Sequence, residues 1–310
     1  MSDGCWWYLL GTNSQRGEKL IMSSGIKTGV FGLRLDSPKT RMKKIMFAII
    51  AIAVAVFFMF PLYWLLMTSF KSNHEVLGTS LIPHYPTIAP WVDQLTSRDF
   101  LQTLYNSVLI STIAMSISFV LGVTASYGMA RYYVPGRSGI MLTFLVTQMM
   151  PASLLLMPMF LVFSQLNWLN TYQAPAIAIT TGSIPFIVVT LRPYFLSIPQ
   201  SLDDAARIDG CNAFTSFILV IMPIIRTGLI TILVITFLHG WNDLIYSMTF
   251  NTDDAMRPLT ANIRRFQDQF GVRWNFIMAY GMILVTPVTL AFIFLQKHII
   301  GGLTQGAVKE

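Results

Sequence analysis

Long uncharged, apolar stretches alternate with short charged segments along this chain, and the stretches have the length of membrane-crossing helices. A span needs about 20 mostly apolar residues. Residues 45–70, bounded by Lys44 and Lys71, carry no formal charge and predict a first span near 45–69. The uncharged interval 100–130 predicts a second, near 106–130. Residues 138–191 are uncharged throughout and have room for two more, near 139–163 and 174–195, with the polar segment Ser164–Thr171 as the turn between them. A fifth span is expected near 227–249, with Asp243 close to its end, and a sixth near 274–296, between Arg273 and Lys297. The expected fold class is therefore an all-α membrane protein with six transmembrane helices.

Composition agrees with this pattern. The chain is 54% hydrophobic and 11% charged over 310 residues, with a mean hydropathy of +0.59, whereas soluble domains carry about 25% charged residues. The net charge of +7 comes from a basic N-terminal segment rather than a patch suited to nucleic acid. Eight basic residues, from Arg16 to Lys44, precede the first apolar run, as in a cytoplasmic anchor beside anionic membrane lipid. With the N-terminus inside, fifteen of the 21 Lys and Arg residues fall on the cytoplasmic side. Both termini are then cytoplasmic in a multi-pass protein of the cell membrane. Residues 1–42 read as a cytoplasmic tail open to disorder, with Met22 and Met42 as alternative starts, and residues 43–310 as the transmembrane domain.

One polar island interrupts the apolar pattern: Ser201, Leu202, Asp203, Asp204, Ala205, Ala206, Arg207, Ile208, Asp209 and Gly210. Read locally it is a short helix. Ser201 and Asp204 have the spacing of a capping box, Asp203 and Arg207 are four apart and can pair, and Gly210 can take the left-handed conformation that stops a helix. Pro223 breaks the segment that follows. The basic-residue asymmetry places this island in the cytoplasm.

The island resembles the EAA loop of ABC-importer inner-membrane permeases, in the carbohydrate-uptake branch. The corresponding residues are Asp204-Ala205-Ala206, then Asp209-Gly210, then Pro223. The resemblance continues through Arg192-Pro193-Tyr194-Phe195, Ser197-Ile198-Pro199 and Phe237–Asp243, and covers residues 45–310. Asp204 replaces the usual Glu and Thr227 a common proline. The resemblance implies that residues 202–210 with Pro223 form a coupling helix between spans four and five, docked on a cytoplasmic ATPase dimer. It also implies an extracytoplasmic sugar-binding protein as a partner.

The residues themselves bear on the energy source. A phosphate-cradling loop needs Gly, four residues, then Gly-Lys-Ser/Thr, and Gly25–Gly29 lacks that spacing. ATP and magnesium are therefore expected on a partner ATPase and no cofactor or metal on this chain; an ion gradient is the alternative energy source, and would make the chain a stand-alone secondary solute carrier. Such a carrier favours carboxylates or histidines at mid-membrane, and the spans offer little beyond His239 and Asp243. No metal-ligand cluster or nucleophile–base arrangement suggests an enzyme. No internal repeat is evident, while alternating-access transporters have two related halves, so a second six-span permease subunit is implied. Candidates for the substrate path are Gln148, Trp241, Asn242, Asp243 and Tyr246. Pro61, Pro151, Pro158, Pro185 and Pro287 are expected to kink the spans. The long outer loops at 70–100 and 250–273 are expected to meet the extracytoplasmic partner.

Overall fold

The computed structural model describes residues 38–268 and 271–305. The larger part of the expected tail, residues 1–37, lies outside them, and the helix that follows already includes Pro38 to Met42. The described chain is almost entirely helical: α1 (Pro38–Ser69), α2 (Ala89–Thr96), α3 (Arg98–Arg131), α4 (Arg137–Met149), α5 (Ala152–Gln165), α6 (Gln173–Ser197), α7 (Ser201–Ile208), α8 (Ala213–Ile224), α9 (Arg226–Trp241), α10 (Ile245–Phe250), α11 (Leu259–Asn262) and α12 (Trp274–Gln305). A two-residue antiparallel ladder, β1 (Gln267–Asp268) with β2 (Gly271–Val272), sits before α12.

Four helices, α1, α3, α6 and α12, are long and apolar enough to cross a membrane on their own. The count reaches six when each of two bent pairs is taken as one span: α4 with α5, bent by 99°, and α8 with α9, bent by 86°. The first bend falls at Met150–Pro151, inside the expected third span. Proline disfavours helical backbone in the residue before it, and Met150 is extended, with φ −76° and ψ 128°. Pro61, Pro158, Pro185 and Pro287 instead lie inside continuous helices. Of these five prolines, Pro151 is the one at a sharp break. The second bend follows Pro223. With no N–H to return to the Leu219 carbonyl, the turn ahead of it widens to π geometry over Phe217–Ile221.

The expected fifth span, 227–249, is shorter than its apolar run. Helix α9 stops at Trp241, and α10 starts afresh at Ile245. Asp243 explains the break. Its carboxylate accepts from the Tyr246 N–H (3.3 Å), the Ser247 N–H (2.8 Å) and the Ser247 hydroxyl (2.7 Å), satisfying two of the free backbone donors of α10.

Among the four unbroken spans, α6 is the most enclosed and α1 the least. The principal partner of α6 is α3, which presents a row of small buried residues: Ser107, Ser111, Ala114, Ser118, Gly122 and Ser126. Steps of three and four put them on one face, and small residues let apolar helices approach closely. A side chain at Gly122 would collide with Ile187 at 2.7 Å. Two of the serines bond the preceding turn, Ser111 on Ser107 O (2.6 Å) and Ser126 on Gly122 O (2.7 Å). Helix α9 crosses α3 on the same row, where Gly240 meets the Ser111 backbone.

The loop after α1 is organised rather than slack. Lys71 is fully buried, donates to Ser80 O at 2.6 Å and lies 4.6 Å from the Trp64 ring. Glu75 accepts from the backbone N–H groups of His84 and Tyr85 and from the Ser80 hydroxyl, and faces His84 Nδ1 at 2.7 Å. In the other long loop, Arg257 pairs with Asp254, and Arg273 lies over the Phe266 and Phe276 rings.

Candidate functional site

Two places bring sequence-predicted residues together: helix α7 with its seat, and a cavity between α4, α5, α6 and α9.

Helix α7 starts and ends differently from one another in how far the sequence anticipates them. The expected capping box does not form. Gln200 is the N-cap, with no side-chain cap, and Ser201 is already inside the first turn. That turn closes on the Pro199 and Gln200 carbonyls, through Leu202 N–H (3.3 Å) and Asp203 N–H (3.0 Å). The helix stop is as read. Gly210 has φ +86°, its N–H reaches Arg207 O at 3.0 Å and the next N–H, of Cys211, reaches Ala206 O at 2.9 Å. These two bonds form a Schellman motif.

The Asp203–Arg207 pair is also absent. Asp203 turns toward the end of α3, where its Oδ2 lies 3.1 Å from Arg131 Nε and its Oδ1 accepts from the Tyr127 hydroxyl at 3.4 Å. The buried cation outcompetes Arg207, which stays exposed, because a pair shielded from water attracts more strongly than a surface i,i+4 pair. Below this contact Ala206 is buried and Leu202 and Ala205 half-buried, against Phe195, Ile198, Phe217 and Val220. On the outward side Asp204, Arg207, Ile208 and Asp209 are exposed. Ile208 is 86% exposed, and Phe214, on the next helix, 68%. Pro223 lies on α8 with its own surface exposed.

The cavity has a volume of about 410 Å³. Its polar lining is Thr147, Gln148, Thr181, Ser183, His239 and Asp243, with Tyr246 and Phe186 as aromatic walls. Three predicted residues thus share it: Gln148, Asp243 and Tyr246. Trp241 does not. It is 3% exposed, packs on Phe237 with ring centroids 5.9 Å apart, and its indole N–H donates to Leu284 O at 3.2 Å. Asn242 is exposed and does not line the cavity either. Trp241 is two residues along α9 from the cavity-lining His239, and residues two apart on a helix do not share a face. Thr181 and Ser183 went unread in the sequence because a hydroxyl in a span usually bonds its own helix.

Residues 118–305 match the family described as "Binding-protein-dependent transport system inner membrane component". The chain belongs to this family. Its similarity to permease proteins of several transport systems extends over most of its length. It is 29% identical to the sulfoquinovosyl glycerol transport system permease protein SmoH of Agrobacterium fabrum, over 81% of this chain and 89% of that one. It is 29% identical to the trehalose/maltose transport system permease protein MalG of Thermococcus litoralis, over 86% and 98%, and 30% identical to the arabinooligosaccharides transport system permease protein AraQ of Halalkalibacterium halodurans, over 83% and 93%. A chain of a bacterial ABC transporter involved in import of the acidic polysaccharide alginate has the same fold, with a TM-score of 0.73 at 20% identity, over 86% of this chain and 99% of that one.

Proposed function

We propose that this inner membrane component is a permease subunit of a sugar importer driven by ATP, with α7 as its coupling helix. Residues 43–310 form the transmembrane domain, crossing the cell membrane six times with both termini in the cytoplasm. A second six-span permease subunit completes the pathway, an extracytoplasmic sugar-binding protein delivers the solute, and a cytoplasmic ATPase dimer binds ATP and magnesium. This chain has no catalytic part in hydrolysis; it transmits motion.

The observation that carries the reading is the build of α7: a two-turn helix rigidly stopped at Gly210, seated on the α3–α6–α8 cluster, with Ile208 and Phe214 left open to solvent. Large exposed apolar side chains on an otherwise polar surface mark a protein contact. Asp204 and Asp209 beside them offer acceptors to basic groups of the ATPase. The cavity fits the solute: hydroxyls and an amide beside aromatic walls suit a hydroxyl-rich molecule.

The double substitution Ile208→Asp with Phe214→Asp tests this. Membrane insertion is expected to persist while copurification of the ATPase is lost. An ATPase that still copurifies in full would overturn the reading. Uptake that survives ATP depletion and collapses with the proton gradient would support an ion-coupled carrier instead. Asp243 suits that role poorly, since both its carboxylate oxygens serve the start of α10.

A further inference from the structure

We propose that the Arg131–Asp203 ion pair is the tie through which α7 drives span α3, making Arg131 a positioning residue for the alternation of the cavity; the inference rests on the reading of α7 as the coupling helix.

The geometry is that of a three-way clamp. Arg131 is the last residue of α3. Its Nη1 donates to Ile198 O at 3.0 Å, the carbonyl at the C-terminal end of α6. Its Nε lies 3.1 Å from Asp203 Oδ2, in the first turn of α7. One side chain thus joins α3, α6 and α7. Both charges also suit their helix ends, a cation at a C-terminus and an anion at an N-terminus. The clamp is shielded from water: the side chains of Arg131 and Asp203 are 7% and 15% exposed. The Tyr127 ring, which lends its hydroxyl to Asp203, lies 4.6 Å from Phe217 and 5.5 Å from Phe195 between ring centroids.

The apolar footing of α7 alone is slight. Ala206 is its one buried residue, a methyl group, with Leu202 beside it. Such a footing resists separation from the core but has little grip against sliding, because apolar contact is non-directional. The Arg131 Nη1–Ile198 O hydrogen bond fixes the guanidinium, the ion pair holds Asp203 against it, and removing one charge leaves the other buried and uncompensated. A push on α7 is therefore delivered to the end of α3, and α3 packs against α6 and α9, two of the cavity walls.

The test uses right-side-out membrane vesicles carrying the complete transporter and its binding protein, loaded with ATP and vanadate. Gln148→Cys places a thiol in the cavity wall, and its modification by a membrane-impermeant thiol reagent is read at that position by mass spectrometry. In the otherwise native transporter the rate of modification is expected to change when ATP and vanadate are present. Should it not change, the reading of the cavity and coupling helix fails. Arg131→Gln and Asp203→Asn are expected to reduce that response about tenfold while the ATPase stays bound and hydrolyses ATP. Arg131→Lys, which keeps the charge and reaches one partner, is expected to restore part of it. A response in Arg131→Gln and Asp203→Asn equal to the native one would overturn the proposal with the underlying reading intact. If Arg131→Gln yields no assembled transporter, Asp203→Asn decides alone, since it preserves shape and the Tyr127 hydrogen bond and removes only the charge.

Discussion

Glycines show how one substitution takes opposite signs in a single chain. At Gly240 a new methyl would stand 2.7 Å from Ser111 Cα, a backbone atom that cannot step aside. Gly240→Ala is expected to cost about 1–3 kcal/mol of stability by forcing α9 off α3. Gly182, inside α6, has open space at the same point, so Gly182→Ala is expected to stabilise by about 0.5–1 kcal/mol through helix propensity. Thermal unfolding of the two purified variants should move in opposite directions. At Gly210 the limit is conformational: with φ +86°, Gly210→Ala is expected to cost about 1–2 kcal/mol and to speed hydrogen exchange at the amides of Gly210 and Cys211. Of these positions only Gly210 was legible in the sequence, because a stop after a short amphipathic helix is a local event. The need for glycine at 240 comes from Ser111, more than a hundred residues away, and no local pattern carries it.

At the scale of elements, hydropathy located every long helix but not where the chain bends within an apolar run. Charge-free length gives the quantity of apolar chain; Pro151 and Asp243 decide how it is cut. Each acts through its own backbone neighbourhood, Pro151 on Met150 and Asp243 on the donors of α10. Asp243→Ala removes three accepted hydrogen bonds, and the first turn of α10 is expected to fray, seen as faster exchange at the Tyr246 and Ser247 amides with α9 unchanged. The Asp203–Arg207 pairing failed for a different reason: spacing along a helix names a possible partner, whereas Arg131 is brought close only by the packing of α3. The loop 71–85 has a pH dependence of its own. Hydrogen bonds from His84, foremost its backbone N–H, hold the Glu75 carboxyl at about 2 against an ordinary 4.5. A depressed carboxyl stabilises the loop above 4.5 and loses that contribution as pH falls from 4.5 through 2. The protection factors of the His84 and Tyr85 amides, that is, the intrinsic exchange rate at each pH divided by the observed one, should fall as pH drops through that window; Glu75→Gln should flatten the profile.

For the molecule as a whole, enclosure is lopsided. Helix α6 is buried along most of its length, while α4 buries no residue although it forms one wall of the cavity. Leu142, Leu145, Val146 and Met149 face outward from it. Under the proposed assembly this face meets the second permease subunit, so cysteines at Val146 and Met149 are expected to form cross-links to that subunit with a short bifunctional reagent. Labelling of both by a lipid-dissolved probe, without cross-links, would mean that lipid covers the face. Composition announced a membrane protein and the missing internal repeat pointed to a second half; that α4 is the helix left uncovered is a tertiary fact.

The crossing at Gly240 and Ser111 bears on how such a domain can move. Where a glycine lets two packed rods come this close, only the Ser111 backbone and its short side chain stand between them, and they tilt about that point more readily than they slide. Helices α3 and α9 are held in that way, and one of them ends at the clamp on α7. Under the proposed assembly, a tilt that spreads the two helices on one side of this crossing closes them on the other, like the blades and handles of scissors.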